Sequence, residues 1–322
     1  MVIARKHPRF PMVGPARGLL SGAIAIAGLY LLLDAKPVVD VLFSFGDEPV
    51  EYYDPHGFPL GLDRVVSLSE WRALPLPAGV LQPSGLGVFG DEVLISTDMS
   101  SVHLGRVTPE ASNVQEQDTT WLRGGPLALR QGYLEAASFG RSADELFVVG
   151  GNDQLFRLFR TDDAITLNAR WRLEPQKGAT AVPEVAGLAY RGGTDTLFAA
   201  FSPNDGQGVA ISEYATDGKY LRRLNLHSPV HDAAVLGLLL NEANVAGMTV
   251  VGDQLVVLSD RSSVLLWFDI DTGRLTRVWG LEGLPTLSGI AHGDGKLFLA
   301  QDHEYYQETP PLRVLELAAH HD

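Results

Sequence analysis

The chain contains no cysteine. A disulfide, a thiolate nucleophile, a zinc–thiolate site and a lipid-modified cysteine anchor are therefore all excluded. Positive charge is scarce as well, with 25 Lys and Arg against 39 Asp and Glu for a formal charge of −14. Four of the basic residues, Arg5, Lys6, Arg9 and Arg17, stand in the first 17 positions without any acid. That leaves 21 basic against 39 acidic residues, about −18, on everything that follows. A surface of that sign repels nucleic acid and anionic lipid, tolerates cations and keeps a protein soluble. Catalytic signatures are missing too: there is no G-x-S-x-G elbow, Walker loop, H-E-x-x-H or dinucleotide fingerprint. The glycine-rich pieces at Gly124–Leu127 and Arg191–Asp195 are turn chemistry, and no low-complexity stretch or second globular domain is visible.

Long apolar runs are confined to one place. Gly18–Leu33 carries no charge, and although its 16 residues fall short of the ~20 that span a bilayer, flanking Pro15, Ala16 and Ala35 extend it. Basic residues before the run and Asp34, Asp40, Asp47, Glu48 and Glu51 after it orient the N-terminus to the cytoplasm. Leu33-Asp34-Ala35 is a poor small-x-small site, which favours an uncleaved anchor over a cleaved signal peptide and secretion. The expected plan is a cytoplasmic basic segment at 1–17, a transmembrane signal anchor at 18–35, a Pro- and Gly-dotted linker at 36–69 and a globular domain at 70–322. The expected location is the bacterial inner membrane, single-pass, with the globular part in the periplasm.

Within that domain one pattern occurs five times. Pro83–Asp98, Leu134–Gly151, Val185–Ser202, Val245–Asp260 and Leu287–Asp302 each give a short apolar strand headed by a small residue, a Gly/Asp turn and a second apolar strand. The heads align at Gly85, Ala136, Gly187, Gly247 and Gly289. Third strands follow at Val102–Thr108, Gln154–Thr161, Val209–Thr216, Val264–Ile270 and Leu312–Leu317. Fourth strands follow only the first four copies, at Thr120–Leu127, Ala169–Pro175, Tyr220–Leu226 and Thr276–Gly283. The fifth copy lacks one, and Glu70–Pro77 (EWRALPLP) matches Arg170–Pro175 (RWRLEP) with Trp71 over Trp171. The prediction is an all-β, five-bladed β-propeller whose last blade is closed by an N-terminal strand, behind an N-terminal transmembrane helix. Trp71, Trp121, Trp171 and Trp279 are expected to pack between blades.

The segments VAGLAY, VAGMTVVGDQLVVLSDRSSVLLWFDI and LSGIAHGDGKLFLAQDHE resemble the SdiA-regulated family of exported bacterial β-propellers, over roughly Pro83 to the C-terminus. The resemblance implies the same fold, and the family brings no established reaction. Its members carry a Glu immediately before the small head residue in several blades. Here that column reads Ser84, Glu135, Ala186, Ala246 and Ser288, so the acid survives only at Glu135.

Propeller geometry puts the head of the first strand and the tail of the second on one rim. Glu135, Asp98, Asp260 and Asp302 are therefore metal-ligand candidates, and a hard oxygen-binding cation such as Ca²⁺ suits converging carboxylates. The bland alternative is that each Asp caps its own turn and that Glu135 pairs with Arg130 or Arg141. Glu135, Ser84, Ser288 and Tyr305 are the ligand-binding candidates. His303, Glu304 and His231 are the acid–base candidates, with Tyr306, His227 and Asp232 beside them. The expected function is a membrane-tethered module binding a small molecule or a periplasmic protein. The alternative is a metal-dependent hydrolase of the lactonase, esterase or phytase-like type.

Overall fold

The computed structural model describes residues 62–77, 80, 82–98, 101–107, 113–121, 134–150, 154–161, 164–174, 185–201, 209–229, 245–260, 262–284, 286–302 and 310–317. The apolar run at 18–35, the basic segment before it and most of the 36–69 stretch lie outside them. Among the described residues no helix is long and apolar enough to cross a membrane.

Two short strands open the described chain, β1 (Arg64–Ser67) and β2 (Arg72–Leu74), joined by a 3-10 turn at Leu68–Glu70. Blade one then holds β3 (Pro83–Phe89), β4 (Glu92–Thr97), β5 (Ser101–Arg106) and β6 (Gln115–Trp121). Blade two holds β7 (Leu134–Phe139), β8 (Glu145–Gly150), β9 (Gln154–Arg160) and β10 (Ile165–Arg172). Blade three holds β11 (Val185–Arg191), β12 (Thr196–Phe201), β13 (Ala210–Ala215) and β14 (Tyr220–Arg223). Blade four holds β15 (Val245–Val251), β16 (Gln254–Ser259), β17 (Val264–Asp269) and β18 (Leu275–Glu282), and blade five holds β19 (Leu287–Gly293), β20 (Lys296–Gln301) and β21 (Leu312–Glu316).

Each blade is an antiparallel meander, and the missing strand of blade five is β2, which pairs with β21 through Arg72↔Val314, Ala73↔Arg313 and Leu74↔Leu312. The five-bladed propeller closes as the Glu70–Pro77 match predicts. A second N-terminal contribution was not anticipated. β1, inside the stretch read as linker, lies parallel to β18 as a fifth strand of blade four, with Val66 fully buried and Arg64 5.0 Å over the Trp279 ring.

The turns follow their residues. Gly90 (φ 58°) and Gly252 (φ 60°) each take the left-handed first position of a two-residue hairpin, and Asp294-Gly295 (φ 48° and 71°) takes both positions of another. Fourth strands came out less accurately. In blade one the strand is Gln115–Trp121, earlier than the Thr120–Leu127 expected from the apolar pattern. QEQDTTW is an outermost strand that is polar up to its last residue, Trp121, so its periodicity does not announce it.

Burial is organised by interface. Among the described residues five hydrophobic clusters occur, one in each cleft between adjacent blades: Leu94 with Leu146, Phe147 with Leu188, Phe198 with Met248, Leu258 with Leu287, and Phe298 with Leu86 mark them in turn. Trp71 and Trp279 pack in the cleft of blades four and five, where Trp279 lies 4.7 Å from the Trp267 ring. Trp171 packs in the cleft of blades two and three, while the side chain of Trp121 lies outside the described residues.

Candidate functional site

The innermost strands β3, β7, β11, β15 and β19 stand side by side round an axis, and their small heads explain how closely. A Cβ on Gly247 would come 2.9 Å from the Ile290 amide nitrogen, and one on Gly289 would meet Leu86 Cβ at 3.3 Å. Immediately before each head the pairing skips a residue, between Pro83/Gly85, Leu134/Ala136, Val185/Gly187, Val245/Gly247 and Leu287/Gly289. Ser84, Glu135, Ala186, Ala246 and Ser288 are the five bulged residues, each half-buried at the same end of the ring.

That strand-head rim also carries Asp98, Asp260 and Asp302, since Pro83 pairs with Thr97, Val245 with Ser259 and Leu287 with Gln301. The shared rim is as expected, and two of its side chains tie neighbouring blades together. Ser84 donates to the Leu134 carbonyl of the next blade, and the Asp260 carboxylate accepts the Leu287 amide at 2.8 Å, tying blade four to blade five. Among the described residues no three His, Asp or Glu form a group that could hold a metal ion. Arg141, considered as a partner for Glu135, sits past the other end of β7 and binds Asp195. His227 bridges to Arg274 beside the β17–β18 turn, which is the hairpin-turn side of blade four and not the strand-head side. His231, Asp232, His303, Glu304, Tyr305, Tyr306 and Arg130 lie outside the described residues.

A serine–histidine contact does exist, in an unreachable place. Ser101 Oγ lies 2.8 Å from His103 Nε2 and 2.6 Å from Thr97 Oγ1, with Ser101 at 1% and His103 at 3% exposure inside blade one. A substrate has no access to it, so it is a buried polar network that fixes the blade.

A concavity lies at the opposite mouth. A cavity of about 340 Å³ occupies the hairpin-turn end of the channel. Its lining is mixed, with Val88, Phe89, Phe139 and Met248 among the apolar residues and Ser138, Arg141, Tyr190, Thr249 and His292 as the polar groups. Tyr190 and His292 occupy the same column of the repeat, three residues past the small head, where the other blades carry Val88, Phe139 and Val250.

The polar groups are fixed by neighbours. Tyr190 Oη donates to Asp195 Oδ1 at 2.9 Å, Arg141 binds the same carboxylate with Nε at 3.2 Å and with a second nitrogen, and Thr216 donates at 3.4 Å. Asp195 belongs to the β11–β12 turn and Arg141 to the β7–β8 turn, so the cluster bridges blades two and three. The Arg141 hydrogen bond holds the Asp195 carboxyl below the usual aspartate range. Burial, with the Asp195 bond behind it, pushes the Tyr190 phenol up to about 12. His292 is shifted down by burial, opposed by a hydrogen bond to the Val250 carbonyl and by the charge of Asp294.

No family model matches the chain, and no curated protein matches it either. Solved structures do. Glutaminyl cyclase from Myxococcus xanthus superposes with a TM-score of 0.50 at 16% identity, over 77% of this chain and 96% of that one. A PQQ-bound aldose sugar dehydrogenase from Streptomyces coelicolor gives 0.44 at 15%, over 76% and 96%, and a nidogen/laminin complex gives 0.42 at 14%, over 68% and 72%. Likeness at these identities shows the fold alone.

Proposed function

We propose that this propeller is a small-molecule binding module whose site is the hairpin-turn mouth of its channel. The observation that carries the reading is the cavity itself: its volume falls in the range of ligand pockets, its lining mixes apolar and polar surface, and positioned polar groups face it from separate blades. The basic-then-apolar N-terminal segment supports a placement of that module at the outer face of a membrane. Gly192 offers a clean test, because it lines the mouth and a Cβ there would touch nothing nearer than Tyr190 Cε1 at 3.8 Å. Gly192→Trp should therefore cover the opening and leave the fold intact. In thermal-shift screening of charged and uncharged fragments, compounds that raise the melting temperature of the full chain should lose that effect on Gly192→Trp. Shifts that survive the substitution would place the binding site elsewhere.

A further inference from the structure

The charge at the cavity mouth restricts what the cavity can hold, and this step rests on the cavity being the binding site. Among the described residues, Arg141 is the one Lys or Arg that lines it, and no Asp or Glu does. A guanidinium stays charged and carries five N–H donors in a planar fork. Asp195 takes two of them, through Nε and Nη2, and Tyr190 beside the same group accepts at most one more. Two or more donors remain at the Nη end of a side chain that is 66% exposed despite its ion pair.

The pair with Asp195 orients that fork. Asp195 also accepts from Tyr190 Oη at 2.9 Å and from Thr216 Oγ1 at 3.4 Å, so the carboxylate that grips Arg141 is itself held from two further sides. The edge of the guanidinium left over matches the two oxygens of a second carboxylate in spacing and planarity. A ligand cation would meet Arg141 and find no acid in the lining. A ligand with two carboxylates would find no second cation there, beside Asp195 and on a chain of formal charge −14.

Apolar surface at the mouth is limited to a few side chains. Phe139 and Met248 are buried at 3% and 2% exposure, whereas Phe89 at the end of β3 is 42% exposed and is flanked in the lining by the half-buried Val88 and Val250. The Phe89 ring lies 6.1 Å from the Phe139 ring, two residues before Arg141, so the open ring and the open guanidinium edge stand on neighbouring blades.

We propose that the hairpin-turn mouth takes a small monocarboxylate, whose two oxygens accept from the free Nη edge of Arg141 and whose apolar body lies against Phe89, Val88 and Val250. Arg141 is then the residue that reads the ligand's charge, and Phe89 the one that holds its body.

Four probes separate these elements when their binding to the full chain is measured by saturation-transfer NMR. Benzoate is the matched monoanion, benzamide its neutral counterpart, terephthalate the dianion and acetate a carboxylate without the ring. Benzoate should bind about 10-fold more tightly than benzamide, the margin of a charge-assisted pair over a neutral hydrogen bond, and more tightly than terephthalate or acetate. Arg141→Met should bring benzoate down to the level of benzamide, with benzamide still bound because the cavity survives. Arg141→Lys, which keeps the charge and loses the fork, should restore only part of the difference. Phe89→Ala should weaken benzoate and benzamide alike, and Gly192→Trp should abolish both. Benzoate that binds no better than benzamide, or that is indifferent to Arg141→Met while still lost in Gly192→Trp, would overturn the ligand class and leave the cavity as the site. Benzoate binding untouched by Gly192→Trp would overturn the cavity reading itself.

Discussion

At the scale of single residues, His292 and Asp260 carry tests that the ring as a whole does not. Because the folded-state pKa of His292 lies below 6.5, the unfolded chain takes up this proton first as the pH falls. Stability therefore drops as the pH falls from 6.5 toward the lowered folded value, and it levels off below that. Urea unfolding at stepped pH should show this slope, and His292→Gln should remove it. A variant with an unchanged slope would assign the effect to another group. Arg141 and Tyr190, which line the same cavity, stay protonated throughout this range, and Asp294 is the acid that acts on the ring. For Asp260, whose carboxylate accepts the Leu287 amide, Asp260→Ala should cost about 1–3 kcal/mol. The loss should be the same in calcium and in chelator, as thermal melts in the two buffers would show. The sequence made the rim position of Asp260 legible, because strand polarity fixes it. What its oxygen bonds to was not legible, because the partner belongs to the next blade, 27 residues away. Tyr190 and His292 were legible in principle, as polar interruptions of an otherwise apolar column. The Arg141–Asp195 pair spans 54 residues between two turns, and no local signal links them.

At the scale of elements, period-two alternation and Gly-containing turns revealed the inner three strands of every blade, because those strands are buried and their faces must match the sheet. It failed on β6 and on β1, which lie at outer edges. There a strand needs backbone pairing more than apolar contact, and β1 satisfies that need by lying on β18, with Asp63 adding a hydrogen bond from the Val278 amide at 2.6 Å. The completely buried Val66 is the one anchor of β1 in the apolar core. Val66→Ala should cost about 2 kcal/mol by loss of two buried methyl groups. Hydrogen exchange should then quicken in β18 before it does in β15, the innermost strand of the same blade. Equal quickening in both would mean that β1 supports the whole blade and not only its edge.

At the scale of the molecule, closure depends on the short register of β2 with β21, which joins the two ends of the propeller. Ala73 and Arg313 face each other across it, and paired antiparallel residues lie within disulfide reach. In a chain without cysteine, Ala73→Cys with Arg313→Cys has no competing partner. Closing a loop of roughly 240 residues should stabilise the fold by about 5 kcal/mol and raise Tm by ~10 °C or more, reversed by reductant. A melt insensitive to reductant would show that the ring opens first somewhere other than at this seam.

The bulge that precedes every strand head has a consequence for how such a ring can change over generations of sequence. The bulged residue takes no part in ladder pairing, so its side chain can be exchanged without disturbing the register of either strand. Five such positions stand round one mouth, now set to serine, glutamate, alanine, alanine and serine. They behave as adjustable dials on a fixed frame, a change at Ser84 costing its bond to the Leu134 carbonyl, and the strand-head rim can acquire new chemistry one substitution at a time while the ladder register stays put.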